Sequence, residues 1–185
     1  SNNVVQSLSK DGGLTWGPVR VICDIPSHKP SEPCIIRSPD GKQLLCLMRE
    51  NVRTLNSRFI VSEDEGTTWS KPKHLLGALT GDRHHAKYGP DGRLVVVFRD
   101  MAAESPTKGH FVGWVGTYED IVKQREGQYR LKLLHSYAGK DCGYPGLELL
   151  ADGTFVATTY IKYWPDNRKH SVVSTRFKLA ELEDR

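Results

Sequence analysis

The sequence predicts an all-β chain built from repeated hairpin units, and three observations carry that reading. Short apolar or alternating runs, among them LLCLMRE, RFIVSE, LVVVFRD, FVATTYI and HSVVSTRF, are rich in Val, Thr and aromatics and bounded by Gly, Pro and Asp. One octet, SKDGGLTW at Ser9–Trp16, returns as SEDEGTTW at Ser62–Trp69, 53 residues later. A turn of Pro or Ala followed by Asp-Gly recurs at Asp40-Gly41, Asp91-Gly92 and Asp152-Gly153. Repeats of roughly 40–60 residues, each holding about four strands, have the size of propeller blades.

Along the chain, two strands are expected first, around NNVVQSLS and VRVICDI, then two complete units, then about three strands. That makes roughly thirteen strands at ordinary strand length. Only GTYEDIVKQREGQ reads as helical, for one or two turns. Each Asp-Gly pair is a hairpin signal, because Gly accepts positive φ and Asp caps the turn amides. In the octets, Asp11 and Asp64 close the turn in the same way, and Gly13 and Gly66 take the left-handed position. Trp16 and Trp69 are expected to be buried between neighbouring sheets.

Composition excludes several classes. The 185 residues are 38% hydrophobic and 26% charged, which is ordinary globular composition. No run approaches the ~18 apolar residues that span a bilayer. The net charge of +4 is mild and its Lys and Arg are scattered, so no nucleic-acid partner is expected. Cys23, Cys34, Cys46 and Cys142 form no Cys-x-x-Cys pair and are expected as free thiols, mostly buried. Adjacent His84 and His85 point to opposite faces of a strand, so no metal site and no cofactor are expected.

Aligning the units on their turns finds the candidate chemistry. Eight residues before Asp40, Asp91 and Asp152 stand Glu32, Arg83 and Tyr144; eight or nine after them stand Arg49, Arg99 and Tyr160. If each turn joins the first two strands of a unit, all six positions lie at one mouth of a central channel. The extra residue before Arg49 is expected to form a small bulge.

The octet S-x-D-x-G-x-T-W is the Asp-box, and two copies at blade spacing resemble the sialidase (neuraminidase) family with its BNR repeats. The resemblance implies a six-bladed β-propeller, of which this chain forms an incomplete arc of three to four blades. They fall near 1–26, 31–76, 82–117 and 141–180 of a single domain, 1–185. It implies a bacterial-type exo-α-sialidase activity, a retaining hydrolysis of terminal sialic acids on glycoconjugates, with secreted or periplasmic placement. The pattern EPCIIRSPDGKQLLCLMRE points to Glu32 and Arg49, DCGYPGLELLADGTFVATTY to Tyr144, and GPDGRLVVVFRD to Arg99 as a second carboxylate-binding arginine. From their place beside the aligned positions, Arg83 and His84 are expected to line the same pocket. The Asp-box residues Asp11, Gly13, Trp16, Asp64, Gly66 and Trp69 are structural in the family.

The chemistry fits those residue types. Sialic acid carries a carboxylate on its anomeric carbon, so a carboxylate nucleophile would be repelled, and sialidases use tyrosine. A phenol, with pKa about 10, needs a base to take its proton, and the resemblance gives Glu32 that role. Guanidinium forks suit a bidentate hold on a carboxylate. Each residue also has a plain structural reading: Arg49 and Glu32 as a cross-strand ion pair, Tyr144 as a packed aromatic, Arg99 and Asp100 as a solvated pair. Trp164-Pro165-Asp166 reads as a surface turn or an aromatic wall for sugar. The family's early Arg-Ile-Pro segment and its acid/base Asp have no match. The chain alone is therefore expected to be inactive, a piece of a larger propeller whose open blade edges invite self-association. The alternative function is a non-catalytic Asp-box propeller that binds carbohydrate or protein.

Overall fold

The computed structural model describes residues 2–167 and 169–183. Thirteen strands form among them, in four antiparallel sheets. The first sheet pairs β1 (Val4–Gln6) with β2 (Arg20–Cys23). The second holds β3 (Ser31–Arg37), β4 (Leu44–Arg49), β5 (Arg58–Ser62) and β6 (Lys73–His74) in that order. The third holds β7 (Gly81–Tyr88), β8 (Leu94–Asp100), β9 (Phe111–Gly116) and β10 (Tyr129–Leu134). The fourth holds β11 (Cys142–Leu149), β12 (Phe155–Ile161) and β13 (Ser171–Phe177).

The strand order follows from the hairpin chemistry. Asp40, Asp91 and Asp152 each accept the amide two residues on, at 3.1, 3.0 and 3.0 Å, while Gly41, Gly92 and Gly153 take φ of 77°, 82° and 81°. The extra residue of the second unit sits in its turn, which runs 38–43 between Arg37 and Leu44, against 89–93 and 150–154 in the others. No bulge precedes Arg49.

Apolar patterning explains how the sheets stack. In β8, Leu94, Val96 and Phe98 join the core shared with the second sheet, whereas Val95 and Val97 join the core shared with the fourth. A strand covered on both faces reads as one continuous apolar run, which is what LVVVFRD is. The first and second sheets share a smaller core of Val4, Cys23, Cys46, Met48 and Ile60. The innermost strands meet in series, with β7 between β3 and β11. The helical stretch is α1 (Tyr118–Val122), capped by Thr117 and Asp120. It stands where the second sheet has its octet, and it delays the outer strand β10, so the third sheet runs past residue 117. The cysteines are free, and burial pushes the Cys34 and Cys46 thiols up to about 12.

The two octets fold alike internally. Asp11 takes the Thr15 amide at 2.9 Å and Asp64 takes the Thr68 amide at 2.7 Å, and the Ser9 and Ser62 hydroxyls each accept a glycine amide at 2.8 Å. The Thr15 hydroxyl and amide hold the Asp11 carboxyl down at about 2. Gly13 and Gly66 are left-handed, as expected.

Their tryptophans differ. Trp69 is half-buried and donates its indole N–H to Gln6 Oε1 at 2.7 Å, while Gln6 and Arg20 bond the Gly66 carbonyl. Trp16 is 65% exposed, contrary to the expectation. The octet builds the turn, but its Trp is covered only where a preceding sheet supplies the cover. Among the described residues the first sheet has none before it. Trp69→Ala is therefore expected to cost about 2 kcal/mol and Trp16→Ala under about 0.5 kcal/mol, read as shifts in urea unfolding free energy. Equal costs would contradict this account.

Candidate functional site

The site begins with three matching irregularities. The β3–β4 register jumps from Ser31↔Arg49 to Cys34↔Leu47, β7–β8 from Asp82↔Arg99 to His85↔Val97, and β11–β12 from Gly143↔Tyr160 to Gly146↔Thr158. Each is a bulge at the start of an innermost strand. The residue at its head is left-handed in all three: Glu32 at φ 49°, Arg83 at 60° and Tyr144 at 49°. Such backbone costs an L-residue roughly 1–2 kcal/mol, and bulges re-aim side chains. Here they turn one side chain from each of three successive sheets toward its neighbours.

The six aligned positions do come together. Glu32 Oε1 accepts from Arg49 Nη1 at 2.7 Å and from Arg83 Nε at 3.3 Å. Arg83 lies over the Tyr144 ring, 3.9 Å from its centroid, and donates to the Tyr160 hydroxyl at 3.1 Å and the Cys142 carbonyl at 3.2 Å. Gly143 is the floor of that seat: a Cβ there would stand 2.7 Å from Arg83 Nη1. Tyr160 donates onward to Asp141 at 3.0 Å.

Beneath this layer lies Asp82, whose side chain has no exposed surface. Its Oδ1 is 2.6 Å from Arg53 Nη1 and 3.2 Å from Arg49 Nε, and its Oδ2 accepts from Arg99 Nε at 3.0 Å and from Arg99 Nη2. Burial pushes the Asp82 carboxyl up, but the bonds from Arg53 and Arg99 outweigh it and hold it below the usual carboxylate range. Arg99 also donates Nη1 to the Lys140 and Cys142 carbonyls, so all three of its nitrogens are committed. Asp100, expected to form a solvated pair with Arg99, is instead buried and paired with Arg130 at 2.6 Å.

Sequence reasoning missed Asp82 as a hub and missed Arg53 altogether. Arg53 stands in the loop after β4, outside any repeat. Its signal is the dipeptide Arg49-Glu50, echoed by Arg99-Asp100. Glu50 is buried and takes the amides of Val52 and Arg53, at 2.5 and 2.7 Å, and so fixes the loop. Asp100 takes the Ala102 amide at 3.0 Å in the same way. His84 is not brought into the cluster. Its ring packs 5.0 Å from Phe98, and its Nε2 donates to the Leu79 carbonyl at 2.8 Å, because the residue after the bulge head points inward. His85 faces outward. Glu32 and Tyr144 share no hydrogen bond, and Arg83 stands between them. Glu32 Oε2 is buried with no partner among the described residues.

No protein-family model matches the chain, and no curated protein does. Solved structures are similar to it. A protein of unknown function from Dyadobacter fermentans matches 92% of this chain over 44% of its own length, with TM-score 0.74 and 16% identity. The intramolecular trans-sialidase from Ruminococcus gnavus matches 95% over 38%, with TM-score 0.63 and 16% identity. An endo-arabinase from Bacteroides thetaiotaomicron matches 96% over 66%, with TM-score 0.60 and 14% identity. This chain spans less than two thirds of each, and the likeness is one of fold. That fold is all-β, shared with carbohydrate-processing enzymes.

The titrating groups give a pH prediction. Burial, reinforced by the Arg58 charge, pulls His28 and His74 below the ordinary histidine value of 6.5, and burial pulls His84 and His110 below it too. The unfolded chain therefore binds protons first as pH falls. Stability is full above pH about 6.5 and is lost as pH drops through the lower folded values. Asp82, depressed when folded, adds a further loss below about 4. The urea midpoint is expected to fall between pH 7.5 and 5.5, and a flat midpoint over that range would contradict the assignment.

Proposed function

We propose that the chain forms part of a six-bladed propeller of the sialidase type and supplies half the machinery of a retaining exo-glycosidase acting on terminal sialic acids. One observation carries the reading. Glu32, Arg83 and Tyr144 occupy the same left-handed bulge on three successive sheets and touch in series. Three strained positions that converge on one cluster of ionisable groups are a functional signature rather than a stability device.

In this reading the Tyr144 hydroxyl oxygen attacks the anomeric carbon, and its proton passes to Glu32. The open acceptor is Glu32 Oε2, since Oε1 is held by Arg49 and Arg83. The glycosidic C–O bond breaks as the new bond forms. The leaving oxygen takes its proton from an acid outside this cluster, which the resemblance places in an early blade. Water then cleaves the tyrosyl–glycosyl bond. The substrate carboxylate is held by arginines with uncommitted nitrogens. Arg49, Arg53 and Arg83 each keep at least Nη2 without a hydrogen bond among the described residues. Arg99, fully committed, orients the others through Asp82 instead of meeting substrate.

A second reading, a propeller that binds an acidic glycan without cleaving it, is favoured by the absence of a Tyr144–Glu32 hydrogen bond. Activity separates the two. In the protein containing this chain, Tyr144→Phe and Glu32→Gln are each expected to lower turnover of a fluorogenic sialoside by about 10²–10⁴-fold while substrate binding persists. Undiminished turnover in Tyr144→Phe would overturn the enzymatic reading.

A further inference from the structure

A further group of ionisable side chains lies where the first and second sheets are joined. The segment 24–30 makes that join, from the end of β2 to the start of β3. It closes in one turn, with the His28 and Lys29 amides donating to the Ile25 carbonyl at 2.8 and 2.9 Å, and Lys29 is left-handed at φ 48°. Asn51 ties the segment to the second sheet. Its amide donates to the His28 carbonyl at 3.1 Å, and its Nδ2 donates to the Lys29 carbonyl at 2.7 Å and the Ser31 hydroxyl at 2.6 Å. Ser31 directly precedes the bulge head Glu32.

The His28 side chain supplies another hold. Its Nε2 meets Nη2 of Arg58, the first residue of β5. A guanidinium can only donate, so Nε2 must be the acceptor and the ring must be neutral. Nδ1 then carries the proton and donates to the Ser27 hydroxyl oxygen at 2.7 Å. Protonation leaves the ring with two donors and no acceptor, which sets N–H against N–H at Arg58.

The surroundings make that change unfavourable. Arg58 is 8% exposed, and its Nε is buried without a partner among the described residues. His74, paired with Arg58 across β5 and β6, brings its ring to 6.2 Å from the His28 ring. Glu50 is the carboxylate that acts on both His28 and Arg58, but the amides of Val52, Arg53 and Leu55 take its oxygens at 2.5, 2.7 and 3.4 Å. From β2, the Cys23 thiol acts on Arg58, and burial with the nearby Asp24 charge pushes that thiol above its ordinary value, so it stays uncharged.

We propose that His28 is an acid-sensitive latch: neutral, it pins segment 24–30 to Arg58, and protonated, it frees the segment and loosens the strand start that carries Glu32. The direction follows from the environment. Burial, with the Arg58 charge, pulls His28 below the ordinary 6.5, against the pull of Glu50. The freed segment therefore takes up a proton more readily than the latched one. Latching is full above pH about 6.5 and is lost as pH falls through the lower value of the latched ring. The latch belongs to this join and does not depend on the chemistry at Tyr144.

The test is hydrogen–deuterium exchange of the full chain at pH 7.5 and 5.5, with labelling times scaled to the intrinsic exchange rate. In the wild type, protection over 25–34 and at Asn51 is expected to fall about tenfold at the lower pH, while β8 keeps its protection. In His28→Gln, whose side-chain oxygen accepts from Arg58 without titrating, the loss is expected to shrink to about twofold or less. In His28→Lys, a fixed cation, the segment is expected to be open at both pH values. Circular dichroism melting checks that both variants are folded. Equal protection at both pH values in the wild type overturns the latch. So does a loss that persists in His28→Gln, a His28→Lys segment protected like the wild type at pH 7.5, or a loss spread equally over β8. A loss that stops before Ser31 overturns the link to Glu32.

Discussion

The arrangement of the site depends on one buried carboxylate. Asp82 draws Arg49 from the second sheet, Arg53 from the loop behind it and Arg99 from its own sheet. Arg99 in turn holds the Lys140 and Cys142 carbonyls at the entrance to the fourth sheet. Removing such a charge from water is unfavourable unless its oxygens are filled, and here both are filled by guanidiniums. The consequence is positional. With Arg49 pinned on one side by Asp82, its Nη1 reaches Glu32, and Glu32 is then placed to receive Arg83.

Backbone strain supplies the second constraint. Glu32, Arg83 and Tyr144 are not glycines, yet each is left-handed at the same register point. Cross-strand pairing on both sides of each head fixes the backbone there, from Ser31↔Arg49 to Cys34↔Leu47, from Asp82↔Arg99 to His85↔Val97 and from Gly143↔Tyr160 to Gly146↔Thr158. Gly143 completes the arrangement by leaving room for the Arg83 guanidinium against the backbone.

Much of this was legible in the sequence because it is periodic. The all-β class, the strand number and the three Asp-Gly hairpins follow from repeating local chemistry, and the convergence of Glu32, Arg83 and Tyr144 follows from counting back from those turns. What was not legible is what the repeats do not encode. Trp16 and Trp69 occupy identical octets, and their burial differs because it depends on an adjacent sheet. The odd residue of the second unit was absorbed by its turn, a choice that spacing alone leaves open. Spacing puts His84 in the pocket beside Arg83, but the bulge sends its ring into the core. Asp82 and Arg53 were hidden because the equivalent of Asp82 is Ser31 in one unit and Gly143 in another, and Arg53 belongs to a loop with no counterpart.

The hub role of Asp82 is tested by the stability of Asp82→Asn, read by urea unfolding in a double-mutant cycle with Arg99→Met. Asp82→Asn is expected to lose about 3–5 kcal/mol, because three guanidiniums lose the charge that holds them. The double variant is expected to lose less than the two single losses added together. A loss under about 0.5 kcal/mol, or strictly additive effects, would show that Asp82 does not organise the site.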